Sequence, residues 1–153
     1  MKLYYVVNAR MPSHKAYGIQ IAKMCEAFIE AGVDLELIVP KTQQSHIALR
    51  EFYNLRVDVP THLSWSVDWY SGGRVGFVLS SLIFMTSVCF YIFRRRRMAY
   101  IYTIDMDSYS YAPLVLLGRP IAVEMHSPKS SNILNRLFFR RVARIIVTNP
   151  LIK

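Results

Sequence analysis

The sequence predicts an α/β fold with a doubly wound, mostly parallel sheet flanked by helices. Three observations carry that prediction. Short apolar runs rich in Val, Ile and Tyr alternate with stretches of helical periodicity along the whole chain. The first strand, helix and second strand lie between Leu3 and Val39, a compact βαβ unit whose crossover helix imposes parallel pairing. Hydrophobic residues make up 53% and charged residues 19% of 153 residues, which is ample for the core of one domain and excludes a disordered chain. Six glycines and seven prolines, without period, exclude collagen-like and low-complexity readings.

Leu3–Val7 is a continuous apolar run, the pattern of a strand covered on both faces. A loop, Asn8–Tyr17, leads to a helix opened by Gly18. Ile21, Met24, Cys25, Phe28 and Ile29 give that helix one apolar face, with Gln20, Lys23, Glu26 and Glu30 pointing elsewhere. Gly32 closes it, and Val33–Val39 is the second strand, ended by Pro40. Lys41–Asn54 is polar with some helical character, and Leu55–Val59 is the expected third strand. Asp68–Gly73 is a turn region. Met98–Thr103 is a buried strand, Tyr109–Leu117 a short helix closed by Gly118, and Ile121–Glu124 a further strand. Ser130 or Ser131 caps a helix running to about Arg141, and Val142–Thr148 is the last strand.

Val75–Phe93 is 19 uncharged residues followed by Arg94, Arg95, Arg96 and Arg97, which meets the length and charge rules for a membrane span. A span would leave too few strands on either side to build a covered sheet. Ser80, Ser81, Thr86 and Ser87 also dilute the run. The favoured reading is a helix packed on the sheet, with the four arginines contacting lipid phosphates at a membrane surface. A single pass through residues 75–93 is the alternative.

Charge is unevenly placed. Residues 1–93 hold 8 basic and 7 acidic side chains; residues 94–153 hold 11 and 3, so nearly all of the net +9 lies in the later part. That asymmetry points to an anionic partner, here a membrane surface or a phosphate-bearing ligand. Nucleic acid is not expected, because no recognition motif and no aromatic platform pattern accompany the arginines. Cys25 and Cys89 sit in apolar stretches and read as small buried hydrophobes. MKLYYVVNAR has too short an apolar run for a signal peptide, so a cytoplasmic protein is expected.

In open α/β sheets ligands bind beyond the carboxyl ends of strands, and three loops qualify. Asn8–Gly18 ends at a helix N-terminus, an anion site to which Arg10, His14 and Lys15 add charge. Thr103–Asp107 carries Asp105 and Asp107, whose Asp-x-Asp spacing suits a divalent metal gripping a diphosphate. Glu124-Met125-His126 places a carboxylate and an imidazole on one side of a strand end, able to bind hydroxyls or exchange a proton. No dinucleotide fingerprint, Walker loop, nucleophile elbow or Cys/His metal spacing is present.

Five segments in order resemble the N-terminal domain of a family-four, GT-B type glycosyltransferase. They are Asn8–Pro40, Arg50–Leu55 (REFYNL), Tyr100–Ser108 (YIYTIDMDS), Gly118–Ser127 (GRPIAVEMHS) and Ala143–Lys153 (ARIIVTNPLIK). The resemblance implies a Rossmann-like domain that mainly binds the acceptor, a lipid-linked or cell-surface glycan precursor, and transfer from a nucleotide-sugar with retention of configuration. It implies no cofactor and no bound metal. It places the Asn8–Gly18 loop near the donor's phosphates and sugar, with Gly18 for close backbone approach and Arg10 and Lys15 for anions. It gives His126 contact with the transferred sugar, supported by Glu124, and Asp105 a polar contact in the cleft. Ile104 departs from the pattern, standing where the family often has Arg. The family's Glu-x7-Glu motif and basic Arg/Lys pair belong to a C-terminal donor-binding domain absent from this chain. Residues 1–153 are thus expected to form one domain that needs a second domain or partner chain for turnover. The rival readings are a metal-dependent transferase using Asp105 and Asp107, and a membrane-associated binding module without catalysis.

Overall fold

The computed structural model describes residues 2–69, 72–95, 98–104, 111–126 and 133–147. Its order is β1 (Lys2–Val6), α1 (Ala16–Glu30), β2 (Asp34–Pro40), α2 (Leu49–Tyr53), β3 (Thr61–Ser64), α3 (Gly73–Arg94), β4 (Ala99–Ile104), a 3-10 helix (Ala112–Leu117), β5 (Ile121–Met125), α4 (Ile133–Arg141) and β6 (Arg144–Val147). The strands form one sheet in the order β3-β2-β1-β4-β5-β6, every pair parallel. The chain is therefore a Rossmann-like α/β domain, and the strand order reverses direction between β1 and β4.

Alternation along β1 divides the core into two. Tyr4 and Val6 face one layer with Ile101, Ile121 and Val123, covered by Phe84, Met85, Val88 and Ile92 of α3, Leu114, and Phe138 of α4. Tyr5 and Val7 face the other with Leu35, Leu37, Val39 and Tyr102, covered by Ile21, Ala22 and Cys25 of α1 and by Leu49. Each fully buried Leu, Ile, Val, Phe or Met side chain contributes roughly 1.5–3 kcal/mol of transfer free energy, before the entropy of ordering is set against it. Cys25 and Cys89 are separate free thiols in these layers, and burial pushes them up to about 12 and about 11.

The helix ends follow their local chemistry. After α1 the Gly32 and Val33 N–H groups donate to the Ile29 and Phe28 carbonyls at 2.9 and 3.0 Å, and Gly32 takes φ +80°. Asn54 closes α2 in the same left-handed conformation, with Leu55 N–H donating to the Arg50 carbonyl at 3.0 Å. Gly118 does this for the 3-10 helix.

Two expectations are corrected. The third strand is Thr61–Ser64, not Leu55–Val59. The Arg56 N–H donates to the Glu26 carboxylate at 2.5 Å instead of to a ladder, and pairing begins just beyond Pro60, which has no N–H to give. Helix α1 begins at Ala16, with Lys15 as its N-cap, so Gly18 lies inside the first turn. The Ser130/Ser131 cap, Tyr109, Ser110 and Thr148 lie outside the described residues.

Helix α3 is long and apolar enough to cross a membrane, and it is packed on the sheet by one face. Its serines explain the polar dilution of the run. Ser80 Oγ accepts from Trp69 N–H at 3.1 Å, Ser81 Oγ from Asn8 Nδ2 at 2.9 Å, and Ser87 Oγ from Trp65 N–H at 3.1 Å. The serine face therefore fastens the loops at the carboxyl edge of the sheet.

Candidate functional site

The carboxyl edge near the β1/β4 reversal holds a connected polar cluster. Register places Glu124 of β5 beside Ile104, and Tyr102 two residues back on the same face, toward α1. Glu124 is 2% exposed. Tyr102 Oη donates to Glu124 Oε2 at 2.5 Å, and Gln20 Nε2, from α1, donates to Oε1 at 3.2 Å. His126 Nε2 lies 3.2 Å from the same Oε1 and 3.4 Å from Gln20 Nε2. Protonated at Nε2, the ring donates to Glu124; unprotonated there, it accepts from Gln20. A buried carboxylate thus fixes the inner edge of an imidazole whose side chain is 36% exposed. Burial, reinforced by the bond to Glu124, pushes the Tyr102 hydroxyl up, so it stays a neutral donor. The arrangement can orient His126 for hydrogen bonding or proton exchange with a ligand at the strand ends.

The β1–α1 loop is pinned by two tyrosines. Asn8 N–H donates to Tyr111 Oη at 3.1 Å, Ser13 N–H to Tyr53 Oη at 2.6 Å, and Tyr53 Oη to the Ser13 carbonyl at 2.8 Å. Gly18 is buried beneath that junction. A Cβ there would lie 2.5 Å from Tyr53 Oη and 2.6 Å from the Ser13 carbonyl oxygen. Lys15 is exposed at the start of α1. Arg10 Nη2 pairs with Asp68 Oδ1 at 2.6 Å, on the β3 side of the loop.

Of the residues singled out in sequence, Glu124 and His126 come together, and Gly18 and Lys15 sit in the first turn of the helix that supplies Gln20. Arg10 is drawn to Asp68. Arg94 and Arg95 lie at the end of α3 next to the amino edge of the sheet, over the Phe90 and Tyr91 rings at 5.4 and 4.7 Å. Arg96, Arg97, Asp105 and Asp107 lie outside the described residues, which contain no cluster of three His, Cys, Asp or Glu side chains able to hold a metal. Gln20 and Tyr102 were missed. Gln20 falls off the apolar stripe and reads as solvent-facing, and Tyr102 reads as one more apolar strand residue. Only packing shows their shared partner.

No protein-family model and no curated protein sequence matches the chain. Solved structures do resemble it. MurG of Acinetobacter baumannii aligns over 99% of this chain and 42% of its own, with TM-score 0.61 and 11% identity. SsfS6, a Streptomyces sp. SF2575 glycosyltransferase, aligns over 92% of this chain and 44% of its own, with TM-score 0.58 and 11% identity. The same enzyme complexed with thymidine diphosphate aligns with TM-score 0.57, 11% identity and coverages of 92% and 43%. The chain spans about two fifths of the length of these proteins. The likeness shows the fold, that of the Rossmann-like half of a GT-B glycosyltransferase.

Proposed function

We propose that this chain is the acceptor-side domain of a retaining, family-four-like glycosyltransferase. It moves a sugar from a nucleotide-sugar to a lipid-linked or cell-surface glycan acceptor. The observation that carries the reading is His126, held by buried Glu124 and by Gln20 at the carboxyl edge of a GT-B type sheet. His126 contacts the transferred sugar, and Glu124 and Gln20 fix its ring. Lys15 and the first turn of α1 face the donor's phosphates, and Asp105 supplies a polar contact. The thymidine diphosphate bound by SsfS6 supports the donor class. Charge on the leaving diphosphate is stabilised by basic groups of a second domain, without a bound metal.

The test is sugar transfer from UDP-, GDP- and TDP-hexoses to a lipid extract. It compares the 153-residue chain alone with the product of the whole reading frame that contains it. Turnover is expected only with a second nucleotide-binding domain and is lost in His126→Ala. No transfer by the longer product, or transfer untouched by His126→Ala, overturns the reading.

The same protein sits at the cytoplasmic face of a membrane in this proposal. The outward side of α3 exposes Val75, Leu79, Leu82, Phe90 and Phe93, with Arg94 and Arg95 at its end. That surface also favours the second reading, a non-catalytic membrane-associated module, which membrane binding without any transfer would support.

A further inference from the structure

A hollow of about 690 Å³ opens at the carboxyl ends of β2 and β3, lined by Arg10, Lys41, Gln43, Gln44, Trp65 and Asp68 among others. None of these belongs to the His126 cluster. Its size is that of a small-molecule site. Its most unusual feature is Trp65, which is 65% exposed although its backbone is tightly held. The Trp65 N–H donates to Ser87 Oγ at 3.1 Å, and Ser64 Oγ lies 2.9 Å from that same oxygen. On the other side, Lys41 N–H donates to the Ser64 carbonyl at 2.9 Å and Ser66 Oγ to the Lys41 carbonyl at 3.0 Å. The backbone is fixed to both α3 and the end of β2 while the indole is left in water. Exposing a large aromatic face forgoes burial, so a partner surface for it is the natural complement.

The polar lining specifies that partner. Arg10 takes Asp68 Oδ1 at 2.6 Å and so anchors the carboxylate in the wall. A carboxylate has about four acceptor sites, of which this bond uses one. Gln43 and Gln44 add amide donors and acceptors, and Lys41 an ammonium. A hexopyranose has an apolar face of C–H groups and a rim of hydroxyls that both donate and accept. We infer that this hollow is a carbohydrate subsite, with the ring face stacked on Trp65 and its hydroxyls shared among Asp68, Gln43, Gln44 and Lys41. The inference rests on the glycosyltransferase reading, in which the bound ring is a sugar of the acceptor.

The chain has two tryptophans, Trp65 and Trp69, so its 15N-labelled form gives two indole N–H signals, which Trp65→Phe assigns. The probes are the methyl α-glycosides of glucose, mannose, galactose and N-acetylglucosamine at millimolar concentration, with glycerol as control. At least one glycoside is expected to move the Trp65 signal saturably while the Trp69 signal stays. Asp68→Asn, checked for an unchanged melting temperature, is expected to weaken that binding about tenfold. Silence of Trp65 toward all four glycosides, equal movement of both signals, or an equal response to glycerol overturns the subsite. Transfer activity beside a silent Trp65 overturns the subsite alone. Saturable sugar binding by this chain, with no nucleotide-sugar transfer by the product of the whole reading frame, overturns the glycosyltransferase reading alone.

Discussion

Tyr102 shows how much a single hydroxyl carries at the residue scale. It is the donor to one oxygen of a carboxylate that is almost fully buried, and a buried acceptor left without its donor bears its desolvation penalty. Tyr102→Phe is expected to lower stability by about 1–3 kcal/mol in urea denaturation. It is also expected to loosen His126, visible as a broadened imidazole signal. Gly18 makes the steric counterpart. With Tyr53 Oη and the Ser13 carbonyl already in the space a Cβ needs, Gly18→Ala must move backbone and is expected to cost about 1–3 kcal/mol. Tyr53→Phe in that background removes one clash and leaves the other, so rescue is expected to be partial.

Glu26 sets a residue-scale pH dependence. Its bonds to the Lys23 ammonium and the Arg56 N–H hold its carboxyl below the ordinary value of 4.5. A carboxyl lowered in the folded state adds stability above its unfolded value, and that increment disappears as pH falls through the folded value. Thermal melts from neutral pH downward are expected to show an acid-side loss that is smaller in Glu26→Gln.

At the scale of elements, α3 has two surfaces with different tasks. The inner one buries Phe84, Met85, Val88 and Ile92 and fastens two loops, β1–α1 and β3–α3, through three serines. Gly76 belongs to it as well, since a Cβ there would run into the Trp69 carbonyl oxygen. The outer surface leaves Val75 at its start and Phe93 at its end about 70% and 71% exposed, with Arg94 and Arg95 following Phe93. In vesicle sedimentation the protein is expected to bind phosphatidylglycerol over phosphatidylcholine, and binding is expected to fall with added salt. Arg94→Ala with Arg95→Ala is expected to remove about 1 kcal/mol of binding per arginine. Absence of binding to either vesicle, or equal binding to phosphatidylglycerol vesicles by the unaltered protein and the double variant, would remove the arginine–membrane contact from the proposal.

For the whole molecule, the sheet order brings the ends of β1, β4 and β5 to one edge and leaves the arginine end of α3 at the other. Under the proposal, chemistry and membrane contact occupy separate regions of one domain. The proposal expects turnover to depend on a second, nucleotide-binding domain or partner chain. Residues 1–153 without such a partner are expected to bind sugar at the Trp65 hollow yet release no nucleotide from a nucleotide-sugar.

The sequence by itself determined the class of fold, most of its elements and the Glu124/His126 pair. Periodicity records which faces are buried, Gly32 and Gly118 mark left-handed helix ends, and alternation puts residues two apart on one side of a strand. It misplaced the third strand because Thr61–Ser64 has little apolar pattern of its own and is defined by its pairing with β2. Tertiary structure alone decided that Gln20 and Tyr102 share the Glu124 carboxylate, that Arg10 meets Asp68, and that the α3 serines hold loops. Those partners are 104, 22 and 58 residues apart for the carboxylate and ion-pair contacts, and local patterns carry no record of a polar partner that far along the chain.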